Sequence, residues 1–351
     1  MATTKSVFSL LLITVIAFSL LFVPHDCIDA KSLKVCKFDG IYNLGDSISD
    51  TGNLIIVSPA VPFAPESAGI PLLDPYLNKN ASFVRGRGVN FAVAGATALS
   101  ASVLKDENIT LPVTDSYSLS VQLDWMSTFF SNICLNHDDC VEKLKTGLFM
   151  VGEIGGNDYN YPFFQGKSSN VVRDLVPKVV KKIKDAVTRV IGFGAARVVV
   201  PGNFPIGCVP IYLTLFHSNK SADYDEFHCL KGLNSLSIYH NDLLKKVIGE
   251  LKKENPNVVI VYGDYYNAFL SVYQNAPHLG FDAASVQKAC CGVGGAYDFS
   301  LDKMCGAPDV PVCPNPYEFI SWDGIHMTQN AYKNMANWVI NDILPKLNCK
   351  A

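Results

Sequence analysis

Gly40-Ile41-Tyr42-Asn43-Leu44-Gly45-Asp46-Ser47 decides the reading of this chain. The stretch from 40 to 44 is short and apolar and reads as a buried strand, which Gly45-Asp46 breaks with turn residues. Asp50-Thr51-Gly52-Asn53 follow at once. A serine on a tight turn leaving a buried strand holds its hydroxyl toward solvent, where a nucleophile has to be. Taken alone, Gly-Asp-Ser is ordinary turn chemistry. The rest of the chain must supply a base, an orienting carboxylate and donors for a developing negative charge.

Apolar runs of the same kind occupy 89–93, 147–152, 196–201 and 258–262. Between them, 171–191 carries Val171, Leu175, Val179, Ile183, Val187 and Val190 at helical spacing. The stretch 224–251 repeats the pattern until Pro256, and Thr328 is a good cap for a last helix over Gln329–Ile343. Continuous apolar strands alternating with helices imply an α/β fold whose mainly parallel sheet is covered on both faces. Ligands bind such sheets outside the carboxyl ends of the strands. Ser47, Ala94-Gly95-Ala96 and Gly155-Gly156-Asn157-Asp158 each follow a strand directly, so topology alone brings them to one edge.

Lys and Arg total 29 against 32 Asp and Glu, without a basic block, which argues against nucleic acid or an anionic membrane as partner. With 49% hydrophobic residues, a large core is within reach. No linker, repeat or low-complexity tract divides the chain, so one domain is expected over 31–351. Residues 1–30 read as a signal peptide: Lys5, an apolar run from Val7 to Val23, then Pro24 and a small residue, Ala30, at the cleavage point. The competing reading is a membrane anchor, and the helix-breaking proline and cleavable site favour the signal peptide. The mature protein is then expected to be secreted or vacuolar, without stable membrane insertion.

Cleavage removes Cys27 and leaves an even set of cysteines, which in an exported chain suggests disulfides. Cys134 with Cys140, and Cys208 with Cys229, are the local candidates. No Cys-x-x-Cys or clustered Cys/His spacing supports a metal, and nothing suggests a nucleotide or flavin, so no cofactor is expected. Asn80, Asn108 and Asn219 open Asn-x-Ser/Thr sequons, expected as glycosylation sites on exposed loops.

A serine hydroxyl needs a base to take its proton, and the base needs a group to hold its tautomer. His326 stands out because Asp323 precedes it by three residues, with Gly324 between, so the carboxylate can fold back onto the imidazole. An Asp and a His capping the following helix is the competing structural reading. His137, His217, His228, His240 and His278 have no fixed acidic partner and are expected at the surface or in the core. Oxyanion donors are available from the backbone N–H groups of Ser47 and Gly95 and the side chain of Asn157.

Gly45-Asp46-Ser47, Asn90-Phe91-Ala92-Val93-Ala94-Gly95-Ala96, Gly155-Gly156-Asn157-Asp158 and Asp323-Gly324-Ile325-His326 resemble the four blocks of the plant GDSL esterase/lipase family, the SGNH hydrolases. Ile48 replaces the usual Leu, and Ser49 stands where the Gly-x-Ser-x-Gly motif of α/β-hydrolases has its second glycine. The resemblance implies a three-layer α/β/α sandwich of flavodoxin-like type acting on small-molecule esters. Ser47, Asp323 and His326 would be its catalytic residues, and Ser47, Gly95 and Asn157 its oxyanion hole. It further points to a subgroup acting on acetylated alkaloids and sinapoyl esters. An acyltransferase would use the same acyl-enzyme. The segment after Asn53 is shorter than the family's, which makes a catalytically weakened binding protein the other alternative.

Overall fold

The computed structural model describes residues 36–57, 73–80, 88–111 and 117–349. The expected signal peptide, 1–30, lies outside them. Five parallel strands form one sheet: β1 (Ile41–Leu44), β2 (Gly88–Asn90), β3 (Leu148–Val151), β4 (Arg197–Pro201) and β5 (Val259–Gly263). Their spatial order is β2-β1-β3-β4-β5, the flavodoxin-like arrangement. Tyr42 pairs with Val89 on one side and Phe149 on the other. The chain leaves β1 toward β2 and returns past it to β3, so the winding reverses between β1 and β3. A crevice opens at such a switch point, beyond the carboxyl ends of the strands.

The described helices are α1 (Asn53–Val57), α2 (Ala101–Asp106), α3 (Leu119–Ile133), α4 (His137–Leu144), α5 (Gly156–Phe164), α6 (Ser169–Gly192), α7 (Pro210–Leu215), α8 (Lys231–Glu254), α9 (Tyr265–Gln274) and α10 (Gln329–Ile343). On one face, α3 lies against β1, α6 against β3 and α8 against β5, and α6 touches both α3 and α8. On the other face α9 packs on α10, and α10 reaches β5. This is the expected sandwich. The predicted stripe of α6 is buried through Leu175, Val179, Ile183, Val187 and Val190, but at its start Val172 turns inward and Val171 outward. Helix α8 begins at Lys231, not 224, because Tyr224 and Leu230 bridge antiparallel and Cys229 is tied to Cys208. Thr328 caps α10 as expected, its hydroxyl accepting from the Ala331 N–H.

Five disulfides are present. Cys134–Cys140 and Cys208–Cys229 are the local pairs read from the sequence, and Cys36–Cys349, Cys290–Cys313 and Cys291–Cys305 join them. Asn80, Asn108 and Asn219 are all exposed. Among the described residues no helix is long and apolar enough to cross a membrane.

Asp50 holds the turn after β1 to the loop after β2. It is 2% exposed, and among the described residues no cationic side chain pairs with its carboxylate. It is satisfied by backbone instead: Oδ1 accepts from the N–H groups of Gly52 (2.8 Å) and Asn53 (2.7 Å), and Oδ2 from Leu54 (3.0 Å) and Ala94 (2.9 Å). The first three cap α1 and the fourth anchors the segment that carries Gly95. Removing the carboxylate orphans all four donors, at roughly 1–3 kcal/mol for each one left without water. Asp50→Ala is therefore expected to lower the unfolding free energy by about 4 kcal/mol, read as a shifted denaturant midpoint at unchanged slope. A loss below about 1 kcal/mol would mean that water replaces the carboxylate.

Candidate active site

The turn that carries Ser47 is assembled from the end of β1. Gly45 leaves the strand at φ +158°, and a Cβ there would stand 2.6 Å from Ser49 Oγ and 2.9 Å from the Glu153 carbonyl, so only glycine fits. Its peptide groups are gripped from α3: Gln122 Oε1 accepts from the Gly45 N–H (2.9 Å) while Nε2 donates to the Gly45 carbonyl (2.7 Å). The Asp46 carbonyl then accepts from the N–H groups of Ser49 (3.2 Å) and Asp50 (3.0 Å), closing the turn over Ser47. Asn90 secures it from below, donating from Nδ2 to the Ser49 carbonyl and the Thr51 hydroxyl, while Oδ1 accepts from Asn43.

His326 arrives on the 321–328 loop. Asp323 Oδ1 accepts from the backbone N–H groups of Ile325 (2.9 Å) and His326 (2.7 Å), which curls the loop so that Oδ2 meets His326 Nδ1 at 2.7 Å. Gly324 sits at φ +90°, where a Cβ would lie 2.1 Å from the Phe299 ring. The loop is tied down by Cys290 N–H to the Ser321 carbonyl (3.0 Å) and Cys291 N–H to the Trp322 carbonyl (2.6 Å), both from disulfide-bonded residues. His326 Nε2 then stands 2.8 Å from Ser47 Oγ. With Nδ1–H donated to Asp323, Nε2 is left as the acceptor of the serine proton. The Asp323 and His326 side chains are each 20% exposed, so the pair is sheltered yet reachable.

The four segments do converge. Asn157, in the first turn of α5, donates Nδ2 to the Ala96 carbonyl at 3.0 Å, and the same amide faces Asp46 Oδ2 at 3.4 Å. That second contact is long, and an incoming oxyanion can displace it. Among the described residues, neither the Ser47 nor the Gly95 backbone N–H has an acceptor. Unsatisfied N–H groups at a partly exposed edge are what an oxyanion hole requires. The structural reading of Asp323 and His326 as helix caps is not needed, since Thr328 caps α10.

The other histidines stay apart from the site. His137, His217, His228 and His278 are exposed, while His240 is buried in α8 with Nδ1 2.7 Å from the Tyr159 hydroxyl. Burial pushes the His240 imidazole down to about 4, so it remains neutral in the core. Among the described residues no group of acidic, Cys and His side chains is placed to hold a metal ion. Two contributors were not marked by any motif. Gln122 lies 77 residues from the Gly45 it clamps, inside an amphipathic helix. Glu153 is 3% exposed just after β3 and reads as one more residue of a glycine-rich turn.

Electrostatics follow from this burial. Burial pushes Asp46 up to about 6, against the Ile48 N–H bond and the His326 charge, which pull it down. Burial and the neighbouring Asp46 charge push Glu153 well above the carboxylate range. For His326, burial acts to lower the pKa, but the Asp323 charge and hydrogen bond, with a further contribution from Asp46, outweigh it and raise it above 6.5. Asp323 is also buried, which acts upward, yet its contacts with His326 hold it below its ordinary value. The imidazolium is thus the favoured form to a higher pH than in a free histidine. NMR titration of the His326 ring is expected to show a midpoint above 6.5 that falls in Asp323→Asn; an unmoved midpoint in that variant would contradict the pairing.

A family model described as GDSL-like Lipase/Acylhydrolase matches residues 41–339. Acetylajmalan esterase of Rauvolfia serpentina is 42% identical over 345 residues, covering 90% of this chain and 88% of that protein. A GDSL esterase/lipase of Arabidopsis thaliana is 47% identical over 314 residues, 90% of this chain and 92% of the relative. Sinapine esterase of Brassica napus is 39% identical over 355 residues, with 92% and 90% covered. The first alignment spans 345 positions for 90% of this chain, so that relative carries a few tens of residues that this chain lacks. The Arabidopsis alignment takes in the same 90% with 314 positions and has no such excess. The chain belongs to the GDSL-like lipase/acylhydrolase family and is a carboxylic-ester hydrolase.

Proposed function

We propose that this GDSL-family hydrolase cleaves acyl esters through a Ser47–His326–Asp323 triad and a covalent acyl-enzyme. The observation that carries the reading is the unbroken relay from Ser47 Oγ to His326 Nε2 (2.8 Å) and from Nδ1 to Asp323 Oδ2 (2.7 Å). Ser47 Oγ attacks the ester carbonyl as its proton passes to Nε2, and the Asp323 carboxylate stabilises the imidazolium. The carbonyl oxygen, now negative, lies against the N–H groups of Ser47 and Gly95 and the Asn157 amide. Collapse of this intermediate breaks the bond to the alcohol, which leaves with the proton from His326. Water then gives a proton to the same nitrogen and attacks the acyl-serine; the bond to Ser47 Oγ breaks as His326 returns that proton to Oγ, and the carboxylic acid is released.

The substrates we assign are small-molecule acetyl or aromatic esters of plant specialised metabolites. Support comes from the relatives named for acetylajmalan and sinapine. Residues 1–30 would direct a single-domain protein, 31–351, into the secretory pathway, toward the cell wall or the vacuole. Five disulfides fit an oxidising route, and the exposed Asn80, Asn108 and Asn219 fit glycosylation on it. The relay from Ser47 through His326 to Asp323 supports this reading over that of a catalytically weakened binding protein.

Ser47→Ala should lower kcat for aryl acetate hydrolysis by on the order of 10⁶-fold with its fold intact. A serine-directed organophosphate should label the peptide holding Ser47 and no other. Because only neutral His326 accepts a proton, kcat/KM should fall as pH drops through a value above 6.5, the direction in which Asp323 moves this group. Label on a different serine, or full activity in Ser47→Ala, would overturn the mechanism.

A further inference from the structure

Helix α5 presents Asn157, Asn160 and Tyr161 on one face, since residues three and four apart are neighbours around a helix. Only Asn157 has a part in the mechanism above, yet the other two are wired into the same corner. The Tyr161 hydroxyl donates to the Gly95 carbonyl at 2.7 Å. Asn160 Nδ2 donates to Asn157 Oδ1 at 3.3 Å. Asn160 Oδ1 in turn accepts from the hydroxyl of Tyr212, a buried residue of α7. Burial pushes both tyrosine hydroxyls well above their ordinary value, so each keeps its proton and can donate.

These contacts bear on two freedoms that an oxyanion hole has to suppress. Gly95 sits at φ +83° and lacks a side chain to fix its backbone. An asparagine amide can also flip, which would turn Oδ1, an acceptor, toward the negative oxygen. We propose that Tyr161 and the Tyr212–Asn160 pair are positioning residues of the oxyanion hole. Tyr161 fixes the Gly95–Ala96 peptide, and Asn160, braced by Tyr212, holds Asn157 in the flip that offers Nδ2. The inference rests on the reading of Ser47, Gly95 and Asn157 as that hole. None of the three bracing side chains needs to touch substrate. They act only on where the donors point, so they affect the transition state more than the bound ester.

The test is a double-mutant cycle on the full chain, with an aryl acetate as substrate. Asn157→Ala alone should lower kcat by about 10²–10³-fold, as for a lost oxyanion donor. Asn160→Ala alone should lower kcat by about tenfold with KM nearly unchanged, and should cost nothing more in the Asn157→Ala background. Tyr161→Phe keeps the ring and removes one hydroxyl; it should lower kcat by about fivefold at unchanged KM, with the thermal midpoint within a few degrees of wild type. Additive losses at Asn157 and Asn160, or Tyr161→Phe at wild-type kcat, would overturn the positioning role while leaving the oxyanion hole standing. Unchanged kcat in Asn157→Ala would remove the hole itself, and this inference with it.

Discussion

Beyond the ends of β1 and β3, the parallel ladder runs on for one more rung on each side, and the active site hangs from it. Gly152 N–H reaches the Leu44 carbonyl at 3.1 Å, and Asp46 N–H reaches the Glu153 carbonyl at 3.2 Å. These bonds bring the Gly45-Asp46-Ser47 turn alongside the Gly152–Gly155 turn at the point where the sheet reverses its winding. From one turn the serine projects, and from the other α5 starts, with Asn157 in its first turn. Gln122 locks the first turn from the α3 side, and Asp50 ties it to the Gly95 segment. Ser47 and the proposed oxyanion donors are therefore one rigid body built on the strand ends. His326 approaches on a separate loop, held by backbone bonds from the disulfide-bonded Cys290 and Cys291 and by the Ile211 N–H bonded to the Gly324 carbonyl at 3.0 Å.

The same juxtaposition concentrates buried acid. Asp46, Glu153 and Asp158 are all within 3% of full burial, and a Cβ on Gly156 would lie 3.5 Å from Glu153 Oε1 and 3.9 Å from Asp46 Oδ2. Such a cluster cannot be fully ionised. Burial, opposed by its bonds from the Ala98 and Leu99 N–H groups, raises Asp158 to about 7, and Glu153 is raised further by burial and by Asp46. Asp46, the least raised of the three, carries the negative charge that reaches His326 and adds to that of Asp323. Glu153 Oε1 and Asn203 Nδ2 are buried without a partner among the described residues.

How far the sequence revealed this depended on the range of each interaction. The turn that carries Ser47 was legible because a strand end and a turn are local patterns, and the Asp323–His326 contact because three residues and a glycine suffice to close it. Local disulfides at Cys134–Cys140 and Cys208–Cys229 were legible for the same reason. Cys36–Cys349 joins residues 313 apart, and no spacing encodes it. Gln122 looked like any polar residue of an amphipathic helix, and Asn160 and Tyr161 like the continuation of a glycine-rich motif. The start of α8 was misplaced because apolar periodicity ran on through Tyr224 and Leu230, which tertiary bonds hold extended. The mainly parallel sheet, by contrast, followed from strands alternating with helices, whereas its flavodoxin-like order was implied only by the family resemblance.

In the proposed reaction Ser47 carries the acyl group between the two halves. The most direct measurement is mass analysis of the protein quenched during turnover of an aryl acetate, with the modified peptide sequenced. The account predicts an acetyl group on Ser47, formed in a burst and lost at the steady-state rate, and absent from Ser47→Ala. An acetyl group on another residue that turns over at that rate, or steady hydrolysis with Ser47 unmodified in a trapping quench, would contradict it.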